Sequence, residues 1–152
     1  MTKIQLNTTI TAPIEVVFNN CRNIDIHQYS ASKTNEIAIA GKTAGLINEG
    51  ETVTWKGKHF GIYIQHESII SEMDFPNYFV DKQLKGHFKK FKHEHIFIKK
   101  ENKTIMTDIL EYETPYGLFG KVFDKIVLKK HLTNFIIERN SILKSLSENH
   151  KY

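Results

Sequence analysis

FKHEHIFIKKENKTIMTDILEYE, residues 91–113, decides how this chain folds. On both sides of the turn signal Glu101-Asn102-Lys103, polar and apolar side chains alternate with the period of a strand that buries one face. Phe91, His93, His95 and Phe97 share one face, and Lys90, Lys92 and Glu94 share the other. After the turn, Met106, Asp108, Leu110 and Tyr112 fall together, with Thr107, Glu111 and Glu113 opposite. The spacing predicts an antiparallel hairpin with strands over 88–100 and 103–113. Its inner face mixes aromatics, two histidines and an aspartate.

Upstream the pattern continues. Short β-rich runs near 36–40, 51–58, 60–73 and 77–84 are separated by Ala40-Gly41-Lys42, Asn48-Glu49-Gly50, Lys56-Gly57-Lys58, Phe75-Pro76-Asn77 and Lys85-Gly86. A strand over Lys3–Ile10 makes seven, and the short connections predict an antiparallel meander. Between the first two strands, Thr11 is placed to cap a short helix, with Pro13 in its first turn and Glu15 at the positive end of its dipole. A second short helix is expected over Ile24–Tyr29. Downstream, Thr114-Pro115-Tyr116-Gly117 ends the last strand. Leu118, Val122, Ile126, Leu132, Phe135, Ile136, Arg139, Leu143 and Leu146 then recur at three- and four-residue steps. They predict one amphipathic helix from Gly117 to Ser147, about 46 Å long. The fold class is α+β: a seven-stranded curved antiparallel sheet, two short helices and a long C-terminal helix, in one domain over 1–152. Seven strands curl more than one helix fills, so a cavity open at one end is expected between them.

Composition agrees. The 152 residues are 40% hydrophobic and 25% charged, with 10 Phe and 6 Tyr to fill a core, which excludes disorder. A single cysteine, Cys21, excludes an intramolecular disulfide and a Cys-rich zinc module, and it reads as a small core residue. The net charge of +4 is spread over scattered lysines, with small clusters at Lys89-Lys90, Lys99-Lys100 and Lys129-Lys130. That reads as a solvated surface rather than a nucleic-acid stripe, and no nucleic-acid partner is expected. No run of about 18 apolar residues occurs, and MTKIQLNTTI lacks a signal-peptide core. The expectation is a cytoplasmic protein with no transmembrane segment, monomeric or homodimeric. Phosphate-loop, dinucleotide and nucleophile-elbow motifs do not occur in the sequence.

Several segments together resemble the SRPBCC or START-like (Bet v 1-like, helix-grip) superfamily. The first is Thr11-Ala12-Pro13-Ile14-Glu15-Val16-Val17-Phe18. The others are Gly45-Leu46-Ile47, Gly50-Glu51-Thr52-Val53-Thr54-Trp55, His59-Phe60-Gly61, Phe79-Val80-Asp81, Gly86-His87-Phe88, His93-Glu94-His95 and Met106-Thr107-Asp108. In this order they look like its bacterial ligand-binding branch, related to polyketide cyclase/dehydrase-like proteins. The resemblance implies the helix-grip fold and a ligand cavity over essentially the whole chain. It does not imply a reaction, because members bind lipids, sterols, quinones, polyketides or plant hormones and a minority are enzymes.

Inward parity gives the candidate site. Phe60, Ile62, Ile64, Phe91, Phe97, Met106 and Leu110 supply an apolar wall, and His66, His93, His95, Asp108 and Tyr112 a polar end. Trp55, Phe135 and Arg139 join them as ligand-binding candidates. Arg139 either meets a ligand carboxylate or lays its stem on apolar surface with its head in water. Three readings of the His93–His95 pair compete. They are buried groups satisfied by Asp108, a tyrosine or the backbone; they present donors and acceptors to a ligand head; or they serve metal binding or acid–base chemistry. No motif supplies a third metal ligand, so neither metal nor cofactor is expected. Asp81 reads as a solvated charge near a turn, with a cavity-mouth acid as the alternative. Gly61 reads as a bend or bulge, and Tyr116 to Phe119 as a plain turn or a flap over the mouth.

The expected function is binding of a small hydrophobic or amphipathic molecule, lipid-, polyketide- or quinone-like. The alternative is a cyclase, dehydratase or isomerase in which Asp108 orients His93 or His95 as general base. A third possibility is an interaction protein using a basic face or the helix end.

Overall fold

Alternation along seven segments closes into one antiparallel sheet. The computed structural model describes residues 1–149. Its strands are β1 (Thr2–Ile10), β2 (Ile37–Gly41), β3 (Thr52–His59), β4 (Ile62–Asp74), β5 (Tyr78–Lys85), β6 (Lys90–Lys100) and β7 (Lys103–Glu113). The spatial order is β1-β7-β6-β5-β4-β3-β2. From β2 to β7 this is the expected meander. β1 departs from it and pairs with β7, Thr2 opposite Tyr112 through Ile10 opposite Thr104. The two helices that follow, α1 (Ile14–Cys21) and α2 (Ile24–Ser30), carry the chain to the far edge of the sheet before β2 begins.

Local chemistry sets the ends of these elements. Pro13, in extended conformation, is the N-cap of α1, and no side chain caps it. Thr11 therefore does not cap; its N–H donates to Glu148 Oε1 at 2.8 Å. Asn23 caps α2, its side chain accepting from the N–H groups of Asp25 and Ile26. The β3–β4 turn is Phe60-Gly61 rather than Lys56-Gly57-Lys58. His59 pairs with Ile62, and Phe60 and Gly61 have φ of 51° and 79°. Two left-handed residues match the twist of the flanking strands, so Gly61 forms the turn and not a bulge. Gly57 lies within β3, where a Cβ would come 2.6 Å from Glu36 Cγ. Its role is to make room for a carboxyl side chain.

The C-terminal helical run consists of α3 (Gly117–Phe123), a π turn (Asp124–Leu128) and α4 (Lys129–Asn149). Its buried stripe passes through Gly120, Asp124, Leu128, Leu132, Ile136, Arg139, Asn140, Leu143 and Ser147. Leu118, Val122 and Ile126, expected to face inward, are 75%, 51% and 69% exposed. The hydroxyls of Tyr112 and Thr2 both donate to the Asp124 carboxylate. That anchor draws Asp124 inward, and the π turn shifts the register of α3 relative to α4. The three apolar side chains are left outside.

Alternate turns of a meander fall at opposite ends. At the end carrying the β4–β5 turn, the Phe18 ring of α1 meets Phe75, Phe79 and Phe97 at centroid distances of 5.1, 5.4 and 5.1 Å. Ile10, Met106 and Leu143 complete this core. The opposite end carries the β3–β4 and β5–β6 turns and the connection from β7 to α3. Among the described residues, no helix is long and apolar enough to cross a membrane.

Candidate functional site

Between the sheet and the C-terminal helix lies a cavity of about 530 Å³. Its inner end is formed by the buried residues Cys21, Phe79, His95 and Arg139, and its outer end by the exposed Phe60, Ile62 and Tyr116. Trp55, Phe60, Ile62, Ile64, His66, Phe91, His93, His95, Leu110, Phe135 and Arg139 all line it. Phe97, Met106, Asp108 and Tyr112 lie outside the lining. Phe97 and Met106 belong to the closed-end core, Tyr112 is fully buried against Asp124, and Asp108 stands behind the two histidines. All four do face inward, as parity requires. The inner face is divided between core and cavity, and strand parity is blind to that division.

Strand register builds the inner polar cluster. His95 lies opposite Asp108, and His93 lies between Asp81 and Leu110. His93 Nε2 and His95 Nδ1 each come within 2.9 Å of Asp108 Oδ1. Asn140 Nδ2 on α4 donates to Asp108 Oδ2 at 2.6 Å. Burial, seconded by the charge of His93, depresses the His95 imidazole to about 3, against the pull of Asp108. Burial works to raise the Asp108 carboxyl, but the hydrogen bonds from His93 and His95 overcome it and hold the group well below the usual carboxylate range. Burial also pushes the Cys21 thiol up to about 11, so beside His95 it stays protonated at neutral pH and is no nucleophile.

Arg139 is 5% exposed, so its head does not reach water. Its Nη2 donates to the Cys21 carbonyl at 3.1 Å, while among the described residues Nε and Nη1 have no partner. Asp81 is half-buried in the middle of β5, lines the cavity and has an Oδ1 with no partner among the described residues, so it is no solvated turn charge. The donor atoms of His93, His95 and Asp108 lie within 4.8 Å of one another, and these are the residues that would hold a metal ion. As they stand, Asp108 Oδ1 already accepts from His93 and sits 2.9 Å from His95 Nδ1, and the Arg139 charge nearby opposes a cation.

A second network follows no sequence spacing. The buried Glu36 accepts from His27 Nε2 at 2.7 Å and lies 3.4 Å from His59 Nε2. His59 Nδ1 is 3.0 Å from His131 Nε2 on α4. Burial favours the neutral Glu36 carboxyl, yet the His27 and His59 hydrogen bonds hold it far below the usual range. His66 and His131 are both lowered, chiefly by burial. Glu36, just before β2, meets His27 of α2, His59 of β3 and, through His59, His131 of α4, and the one local signal was that His59 shares parity with Trp55 on β3. His87 at the rim brings the lining histidines to seven of the eight in the chain; the other, His150, is outside the described residues.

These groups make stability depend on pH. The unfolded chain protonates His95 near 6.5, whereas the folded protein does so only near about 3. Between those values the unfolded state binds more protons, so stability falls as pH drops from about 6.5 toward 3. The depressed Glu36 and Asp108 add to the loss once pH falls below their unfolded values, near 4. The melting temperature is expected to decline steadily from pH 7 to pH 4, and His95→Gln to flatten the upper part of that slope. An unaltered slope in the variant would refute the role given to His95.

No protein-family model and no curated protein sequence matches the chain. Solved structures do. Protein TTHA0849 of Thermus thermophilus superposes with a TM-score of 0.74 at 16% identity, over 96% of this chain and 99% of that one. Major latex-like protein 151 of Panax ginseng gives 0.68 at 15% identity, over 96% and 97%. A START superfamily protein of Mycobacterium smegmatis gives 0.74 at 11% identity, over 98% and 99%. At such identities the likeness shows the fold alone: this chain has the helix-grip fold seen in START-like and Bet v 1-like proteins.

Proposed function

We propose that the protein binds a small hydrophobic or amphipathic molecule, lipid-, polyketide- or quinone-like, in the cavity between sheet and C-terminal helix. The observation that carries this reading is the cavity itself. Its roughly 530 Å³ falls within the usual range for small-molecule sites, and its walls are apolar with a few polar groups. Apolar contacts from Ile62, Ile64, Phe91, Leu110 and Phe135 supply affinity. The imidazoles of His66, His93 and His95, with Arg139 and Asp81, meet the ligand's polar group. Asp108 acts behind them by fixing the two imidazoles. Native mass spectrometry of the purified protein, followed by titration with a fluorescent fatty-acid probe, tests the reading. A bound apolar molecule, or stoichiometric uptake of the probe, is expected. A folded protein that takes up no member of a broad apolar library refutes it.

One observation favours a second reading. His93 lines the cavity and its Nε2 is 2.9 Å from Asp108, an arrangement that orients an imidazole for proton transfer. If a cyclase, dehydratase or isomerase works here, His93→Gln abolishes turnover and leaves probe affinity within about twofold of the parent. Loss of binding alone would discard the catalytic reading.

A further inference from the structure

The open end of the cavity carries a surface that neither the core nor the cavity explains. Leu118, Phe119, Val122 and Ile126 on α3 and the π turn are 75%, 86%, 51% and 69% exposed. None of them lines the cavity. Beside them Phe60, Ile62 and Phe123, which do line its outer part, are 50%, 67% and 44% exposed. The rings of Phe60 and Phe123 meet at 5.5 Å, so the β3–β4 turn and α3 form one continuous apolar rim. Single exposed apolar residues are ordinary, whereas a cluster of this size around a cavity mouth marks an interaction surface.

Charge identifies the occupant. Lys58 on the hairpin and Lys121, Lys125, Lys129 and Lys130 on the helical run are all exposed. No acidic residue occurs in 52–66, and the only one in 114–137 is Asp124, which is buried and held by Tyr112 and Thr2. An apolar rim bordered by lysines with no exposed carboxylate is the composition of a helix lying in the interface of an anionic bilayer. A second copy of this chain is a poorer occupant, because a two-fold pair would set these same lysines against each other.

We propose that this face seats the cavity mouth on an anionic lipid bilayer, with Leu118, Phe119, Val122 and Ile126 entering the headgroup region and the lysines meeting lipid phosphates and carboxylates. The surface stands on exposure and charge. That a ligand passes between bilayer and cavity through this mouth rests on the cavity reading above.

Co-sedimentation with vesicles tests it. The wild-type protein should bind vesicles of phosphatidylcholine with phosphatidylserine, bind pure phosphatidylcholine vesicles far less, and be released by salt. Leu118→Glu/Phe119→Glu should weaken binding at least about tenfold. Lys121→Glu/Lys125→Glu should weaken it by about fivefold or more per lysine. Both pairs are exposed, and circular dichroism should be unchanged. Equal binding to both vesicle types, no binding by the folded wild type, or full binding by either variant overturns the proposal. So does a concentration-dependent dimer that Leu118→Glu/Phe119→Glu abolishes, since a second copy would then own the surface. A fluorescent fatty-acid probe supplied in the vesicles separates the two readings. Docking by a protein that takes up neither the probe nor any member of a broad apolar library refutes the cavity reading and leaves the docking surface standing.

Discussion

Asp108→Ala is expected to destabilise the protein by about 3–5 kcal/mol in chemical denaturation, the scale for removing one member of a buried charged network. Asp108 is 1% exposed, accepts from His93 on β6 and Asn140 on α4, and lies 2.9 Å from His95 Nδ1 on β6. Removing the carboxylate leaves the His93 N–H without its acceptor and Asn140 Nδ2 with only its longer bond to Thr8, and it strips His95 and Arg139 of a nearby negative charge. Asp108→Asn should cost less. Its amide oxygen still accepts from His93, and Asn140 Oδ1, which has no partner among the described residues, becomes available to the new N–H₂ if the Asn140 amide turns over. The ordering Ala worse than Asn is the diagnostic result. An alanine variant within about 1 kcal/mol of the parent would show that the cluster is not a connected network.

Binding should respond most to filling the cavity. Ile64 on β4 and Leu132 on α4 both line it. Replacing both by Trp places two indoles in open space, where strain on the surrounding core is small. If they displace roughly 100 Å² of ligand apolar surface, the loss is about 2.5 kcal/mol, about 60-fold in affinity. The readout is titration with the fluorescent fatty-acid probe, with a melting curve to show that the variant is folded. A folded double variant that binds the probe as tightly as the parent would mean that the ligand sits elsewhere.

Strand patterning was legible because it depends only on alternation along the chain. The hairpin of β6 and β7 could be read from residues 91–113, as could the inward parity of His93, His95 and Asp108. The turn at Phe60-Gly61 was misplaced because Gly57, near the same end of β3, carries an equal turn signal. Its glycine answers instead to the approach of Glu36. The Leu118, Val122 and Ile126 stripe was misassigned for a related reason. Periodicity shows that a helix has an apolar face, but the π turn and the Asp124 anchor decide which way that face turns.

The seven strands, their antiparallel meander from β2 to β7 and the side of each strand that turns inward follow from the order of residues alone. These are local consequences of side-chain period and turn chemistry. Long-range packing set the rest: β1 closes on β7, Phe97 and Met106 fill the closed end, and Glu36 links His27 to His59. Those outcomes depend on pairs of groups far apart in the chain, whose meeting is set by sheet curvature and by the helix that lies across it. No period along a single strand carries that information.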